Sequence, residues 1–354
     1  MRWTKCCEKP AKQASLRPVW HLLLFSAFLT ACAFSQDTTI RSRTNVVLIP
    51  ALVKDSHDEV VYGLQAGDFI IEDDGVEQPV HLDETPEGQP ISLVVAIQTG
   101  RRAADEFPRM QGLKSMLDPL FGRDILSQGT AKVALVEFDS QVNLTQNFTD
   151  NADLISGDLS NIRPGDGGAA ILDAVAYSVK MLGDESEGRL RVLLLISETR
   201  DHGSHSKIEN AVTAVGQANA VIYALTFSPS KSNVLDTLRG NNNPDLHPEK
   251  TEMHNGPDLL APFVLAAQAM RKNIPATIAS MTGGEYELFA TRRKFDVRVN
   301  DFDNHLHSRY LLSITPKNPH AGLHQIRVSL KDAKGKSVLA RTRYWAEGTS
   351  APSQ

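Results

Sequence analysis

Apolar and polar positions change their rhythm twice along this chain. From Thr44 the largely apolar pattern Asn-Val-Val-Leu-Ile-Pro-Ala-Leu-Val-Lys-Asp, 45–55, predicts a strand, and 60–62 and 68–72 predict two more. Asp73-Asp74-Gly75 is a hairpin signal between 68–72 and a further strand at 78–82. After a polar linker at 83–89, continuous apolar runs appear at 91–97, 131–138, 190–196 and 220–227, as expected of strands buried on both faces of a parallel sheet. Helices are predicted between them at 104–121, 169–182 and 207–218; Val175, Val179 and Leu182 recur at helical spacing on the second. Strand and helix in alternation imply a doubly wound α/β sheet.

The stretch 229–257 is rich in Asn, Pro, Asp, His and Lys without periodicity and reads as an exposed insertion. Helices follow at 259–271 and 274–281, the latter ended by Gly283-Gly284, then a short strand at 286–288 and a helix at 295–307. From there alternation returns, with strands at 310–314, 324–330 and 339–344. The simplest architecture places an α/β domain, 89–308, inside a small β-sandwich-like module made by 37–88 and 309–347, with a disordered tail at 348–354.

The first residues do not belong to this scheme. Arg2, Lys5, Lys9, Lys12 and Arg17 precede the apolar run 20–28, the pattern of a secretory signal peptide over 1–36. The expected locations are the periplasm, the cell envelope or the medium. Leu29-Thr30-Ala31-Cys32 has the form of a bacterial lipobox, so that lipidation at Cys32 gives a membrane anchor. Ala31-Cys32-Ala33 equally fits ordinary cleavage after Ala33 or Gln36, and both routes stay open. All three cysteines, Cys6, Cys7 and Cys32, lie in this leader, leaving no thiol for a disulfide or a cysteine-ligated metal further on.

Apolar residues at 41% and charged residues at 22% are ordinary globular values and exclude a multi-span membrane protein. The chain holds 37 basic and 42 acidic residues; five and one of these are in the leader, which leaves 32 against 41, a net charge of −9. That balance argues against nonspecific nucleic-acid binding, which needs a basic footprint.

Several spaced motifs resemble the bacterial VWFA-related proteins typical of Acidobacteria. They are Leu64-x-x-x-Asp68-Phe69 with Glu72-Asp73-Asp74-Gly75, Gly167-Gly168-Ala169-Ala170-Ile171-Leu172-Asp173-Ala174, Thr282-Gly283-Gly284, and Tyr310-Leu311-Leu312 with Gly322-Leu323-His324-Gln325-Ile326. The resemblance implies a Rossmann-like von Willebrand factor type A domain. It also implies a metal-ion-dependent adhesion site, built from Asp-x-Ser-x-Ser after the first core strand, a Thr and an Asp. Here Gln98 stands for the Asp, Gly100 and Arg102 for the serines, Ala169 for the Thr and Glu198 for the last Asp. Magnesium prefers a near-octahedral shell of hard oxygens. Gly100 and Ala169 offer no side-chain oxygen, Gln98 only a neutral amide, and Arg102 a permanent cation. The expectation is a degenerate site without metal or other cofactor.

Two readings of the arginines follow. Arg101 or Arg102 takes a partner's carboxylate directly, as a guanidinium does bidentately, with Thr99, Asp201 and His202 on the same rim and a partner of acidic surface. Alternatively Arg102 pairs with Glu198 and plugs the site. Asp201, His202 and His205, and in the insertion Asp245, His247, Glu249 and His254, are metal-ligand types in loops, more often simply solvated. His305 and His307 are two apart, on different faces of a helix. Gly165-Asp166-Gly167-Gly168 lacks the Lys and Ser/Thr of a phosphate loop, and neither a dinucleotide fingerprint nor a Gly-x-Ser-x-Gly elbow is present. The chain therefore reads as a protein-binding or adhesion module and not an enzyme, with a magnesium-dependent type A domain and an exported α/β enzyme as the other classes.

Overall fold

The computed structural model describes residues 46–83, 90–101, 103, 131–186, 188–227, 260–317 and 320–347. The leader with Cys32, most of the linker, Arg102, the helix at 104–121, the insertion at 229–257 with its histidines, and the tail lie outside the described residues.

The first apolar run becomes β1 (Val47–Lys54). Residues 60–62 do not form the predicted strand: Asp55 accepts hydrogen bonds from the His57 and Glu59 amides and folds the chain into a turn, leaving Val60 with a single bridge to Lys54. β2 (Phe69–Asp73) turns at Asp74 and Gly75, with φ of 49° and 81°, into the antiparallel β3 (Val76–Gln78). The strand predicted at 78–82 is divided at Pro79, which has no amide to give to a ladder. Beyond it β4 (His81–Asp83) joins a different sheet.

The core domain follows in the order β5 (Ile91–Gln98), β6 (Ala131–Phe138), β7 (Val142–Thr149), α1 (Ala152–Asn161), α2 (Ile171–Gly183), β8 (Leu190–Ser197), α3 (Ile208–Gln217), β9 (Val221–Phe227), α4 (Ala261–Lys272), α5 (Ile274–Thr282), β10 (Tyr286–Phe289) and α6 (Arg292–His307). Its sheet runs β10-β9-β8-β5-β6-β7, parallel throughout except for β7 at the edge. Leu93, Val95 and Ile97 of β5 enter one core with α1 and α6, while Val94 and Ala96 enter another with α2, α3, α4 and α5. Both faces are covered, which is why these strands read as unbroken apolar runs.

β7 and α1 have no counterpart in the sequence reading. β7 is an edge strand with exposed Asn143, Leu144 and Thr145, so its pattern is mostly polar. α1 is built from Asp, Ser, Gly and Asn around Ile155 and Leu159. Burying each of those two contributes about 1.5–3 kcal/mol, enough to overcome propensity penalties of up to about 1 kcal/mol per residue. Asn151 caps the helix, accepting from the Asp153 and Leu154 amides at 3.0 and 3.3 Å.

The chain then returns through β11 (Tyr310–Ile314), β12 (Gly322–Leu330), β13 (Ser337–Ala340) and β14 (Arg343–Ala346). Two four-stranded sheets, β13-β1-β11-β4 and β14-β12-β2-β3, enclose a shared core that includes Ile49, Val53, Ile71, Leu312 and Ile326. The single strand expected at 339–344 is instead two strands in opposite sheets. The break is at Arg341, whose buried guanidinium donates to the carbonyls of Arg343, Gly216 and Ala218, while the Thr342 amide donates to Met281. Leu323 and Trp345 turn outward from the sandwich and pack with the apolar face of the core domain.

Candidate functional site

β5 is the point at which the order of the central sheet reverses, with β6 and β7 on one side and β8, β9 and β10 on the other. Ligands of open α/β sheets bind in the crevice outside the carboxyl ends of the strands at such a point. Gln98 ends β5 and Glu198 follows β8, so the two face each other there.

Gln98 and Glu198 are both buried. The Glu198 amide donates to Gln98 Oε1 at 2.9 Å, and Gln98 Nε2 donates to Glu198 Oε1 at 3.3 Å and to the Gly100 carbonyl at 3.1 Å. Both ends of the amide are therefore engaged. Arg101 Nε lies 3.5 Å from Glu198 Oε1. Arg101 thus pairs with Glu198, while Arg102, which the sequence reading set against Glu198, lies outside the described residues. The φ of 53° at Arg101 turns the chain back at this point, held by its amide donating to the Asp166 carbonyl at 2.6 Å. A non-glycine residue in the left-handed region costs about 1–2 kcal/mol, and such outliers cluster at functional sites.

The neighbouring loops close tightly around this turn. A Cβ on Gly100 would run into the Gly168 carbonyl and lie 2.6 Å from Asp139 Cβ. Asp166 accepts from the Ser140 hydroxyl and from the Ser140 and Gly168 amides, bonds that hold its carboxyl below the ordinary range. Ala169 is buried and exchanges two backbone hydrogen bonds with His202, at 2.7 and 2.8 Å. Thr99 is buried too, its hydroxyl donating to the Phe138 carbonyl at 3.2 Å. Asp201 Oδ1 accepts from the Leu172 amide at the start of α2 and from the Ser204 hydroxyl. His205 is exposed beside Asp173.

The structure thus brings Gln98, Gly100, Arg101, Ala169 and Glu198 together, with Thr99 turned inward and His202 engaged through its backbone. Among the described motif positions, the side-chain oxygens are those of Gln98, which accepts from the Glu198 amide, and of Glu198, which is paired with a guanidinium. This donor set does not fit the hard, near-octahedral shell of magnesium. Among the described residues, the ligand-type side chains that do converge are Asp74, His320 and His324, in the sandwich. Sequence reading did not single them out as a site, because Asp74 and His320 are 246 residues apart.

A family model described as von Willebrand factor type A domain matches residues 105–255. No curated protein matches the chain. Among solved structures it is similar to the conserved hypothetical protein BatB from Bacteroides thetaiotaomicron, at 16% identity over 39% of this chain and 66% of that one, with a TM-score of 0.32. It is similar also to the PilB minor pilin from Streptococcus sanguinis, at 12% identity over 64% and 63% with a TM-score of 0.41. A third is the vWF domain of the type V pili tip protein Mfa5 from Porphyromonas gingivalis, at 7% identity over 62% and 95% with a TM-score of 0.39. The chain spans less than two thirds of BatB and of PilB. With its parallel sheet covered by helices on both faces, the central layer of this protein has a Rossmann-like α/β fold, and the stretch that matches the von Willebrand factor type A model lies within it.

Proposed function

We propose that this chain is an exported protein-interaction module that engages a carboxylate of its partner at the carboxyl end of the central sheet, without a metal ion. The observation that carries the reading is the Arg101–Glu198 pair. The buried carboxylate fixes the guanidinium at the switch point, while the Arg101 side chain remains 35% exposed. A guanidinium binds a carboxylate bidentately, and so takes the part that a cation plays in an intact adhesion site. The described loops around it carry both signs of charge, since Asp139 and Asp166 stand beside Arg101; the acidic partner surface is therefore proposed for the contact with Arg101 alone. Type A domains are typically interaction modules without enzymatic activity, and none is proposed here. Export rests on the leader at 1–36, with or without lipid at Cys32; among the described residues no helix is long and apolar enough to cross a membrane.

The test begins with crosslinking on intact cells to identify the partner. Its affinity is then measured for the native chain and for Arg101→Ala, each in magnesium and in EDTA. Truncating one partner of a hydrogen-bonded charge pair costs about 2 kcal/mol or more, so a loss of at least roughly tenfold is expected, equal in both buffers. Unchanged affinity in Arg101→Ala overturns the direct contact and leaves Arg101 as a plug on Glu198. A requirement for magnesium overturns the metal-free reading.

A further inference from the structure

In the sandwich, the turn between β2 and β3 meets the start of β12. The rings of His320 and His324 stack there with centroids 3.8 Å apart and planes 18° apart, and His324 stacks in turn on Tyr344. Hydrogen bonds identify the role of each ring nitrogen. His324 Nε2 lies 2.9 Å from the His320 carbonyl and His320 Nδ1 lies 3.3 Å from the Ala321 carbonyl. Carbonyls only accept, so these two nitrogens carry hydrogen. The other two, His324 Nδ1 and His320 Nε2, face the same carboxylate oxygen, Asp74 Oδ2, at 2.8 and 3.1 Å, with Asp73 Oδ1 3.2 Å from His324 Nδ1. Ionised carboxylates also only accept. With neutral rings, two nitrogen lone pairs and two carboxylates point at one another. Either an extra proton on each ring or one metal ion between them satisfies this arrangement.

We propose that Asp74, His320 and His324 form a zinc(II) site, with Asp74 Oδ2, His320 Nε2 and His324 Nδ1 as ligands and a solvent molecule completing the tetrahedron. The three ligand atoms lie within 4.8 Å of one another. A tetrahedral shell of radius about 2.0–2.1 Å sets its ligand atoms about 3.3 Å apart, so the separations of 2.8 and 3.1 Å need to open by only tenths of an ångström. The half-buried His320 tilts out of the stack to complete the shell, while His324, 1% exposed, stays in place. The supporting bonds that orient metal ligands are already present. Asp74 Oδ1 accepts from the Gln325 amide at 2.9 Å, Asp73 Oδ2 accepts from the Tyr344 hydroxyl at 3.0 Å, and each histidine has its second nitrogen on a carbonyl. Imidazole nitrogens select zinc over magnesium or calcium. A proton shared between each ring nitrogen and the Asp73 and Asp74 carboxylates is the competitor that zinc displaces. Binding therefore releases protons and tightens as pH rises. The site joins the N-terminal hairpin to the C-terminal half of the sandwich, and zinc acts as a staple between the two segments that flank the core domain.

The full-length chain, freed of metal with a chelator, is titrated with zinc by calorimetry, with magnesium as the control and cobalt(II) as a visible-absorption probe of four-coordinate nitrogen ligation. One zinc per chain, a raised melting temperature and cobalt d–d bands are expected. His320→Ala and Asp74→Asn should each weaken zinc binding by at least about tenfold, and His202→Ala should not. Asn tolerates the left-handed backbone of position 74, so Asp74→Asn remains informative if His320→Ala folds poorly. No saturable zinc uptake, or equal uptake by a folded His320→Ala or Asp74→Asn chain, overturns the site.

Discussion

Gly100 is hemmed in by the Gly168 carbonyl and the Asp139 side chain, so the first serine of an adhesion motif has no room at this position. Restoring it is not expected to restore a metal site. Gly100→Ser is expected to destabilise the chain by about 1–3 kcal/mol, as overpacking does, and to melt earlier by calorimetry with or without magnesium. A variant as stable as the native chain, with magnesium raising its melting temperature, would show loops looser than described. The expectation at Gln98, Gly100, Ala169 and Glu198 came from residue types set against the motif that the chain resembles. The reciprocal bonding of Gln98 and Glu198 was not legible there, since they are 100 residues apart. Nor was the pairing of Arg101 with Glu198, made where the backbone of Arg101 takes a left-handed angle.

At the scale of elements, α2 shows how a helix borrows its beginning. Its N-cap, Ala170, has no side-chain acceptor, and Asp201, 29 residues from Leu172, supplies one from the loop after β8. The helix returns the favour through Asp173, which accepts from the His205 and Ser206 amides at 2.7 and 2.8 Å. Burial pushes the Asp173 carboxyl up, and the bonds from Ser206 and His205 outweigh it and lower it. Asp201→Ala is expected to cost about 0.5–2 kcal/mol, the usual value of a lost cap, read as a lower denaturation midpoint. His205→Ala, at an exposed side chain, should leave that midpoint within about 0.5 kcal/mol of native. Equal midpoints for Asp201→Ala and the native chain would mean that solvent replaces the cap without loss. The apolar periodicity of 169–182 predicted the helix, whereas its cap comes from another strand's loop and leaves no local signal.

Across the whole molecule, Glu285 links the sandwich to the core domain. It accepts from Lys54 Nζ of β1 and bonds His305 Nδ1 of α6, each at 2.7 Å. Burial pushes Glu285 up, but the His305 hydrogen bond and the charges of Lys54, His305 and Arg309 prevail and lower it to about 2. A carboxyl held below its ordinary value contributes stability that is complete above that value and is lost as pH falls through the folded one. Stability should therefore decline between about pH 5 and pH 2, this group supplying on the order of 2–3 kcal/mol. Glu285→Gln should flatten that part of the profile in urea melts at pH 7 and pH 3. A mutant profile parallel to the native one would assign the acid sensitivity elsewhere. Local pattern alone was enough for the sandwich-flanked α/β plan, because an unbroken apolar run records two covered faces and alternation records one. The break at Arg341, the edge strand β7 and the weak helix α1 depended on contacts with distant elements. So did the meeting of Asp74 with His320 and His324, because the energy of such contacts is realised only after the chain between them has folded.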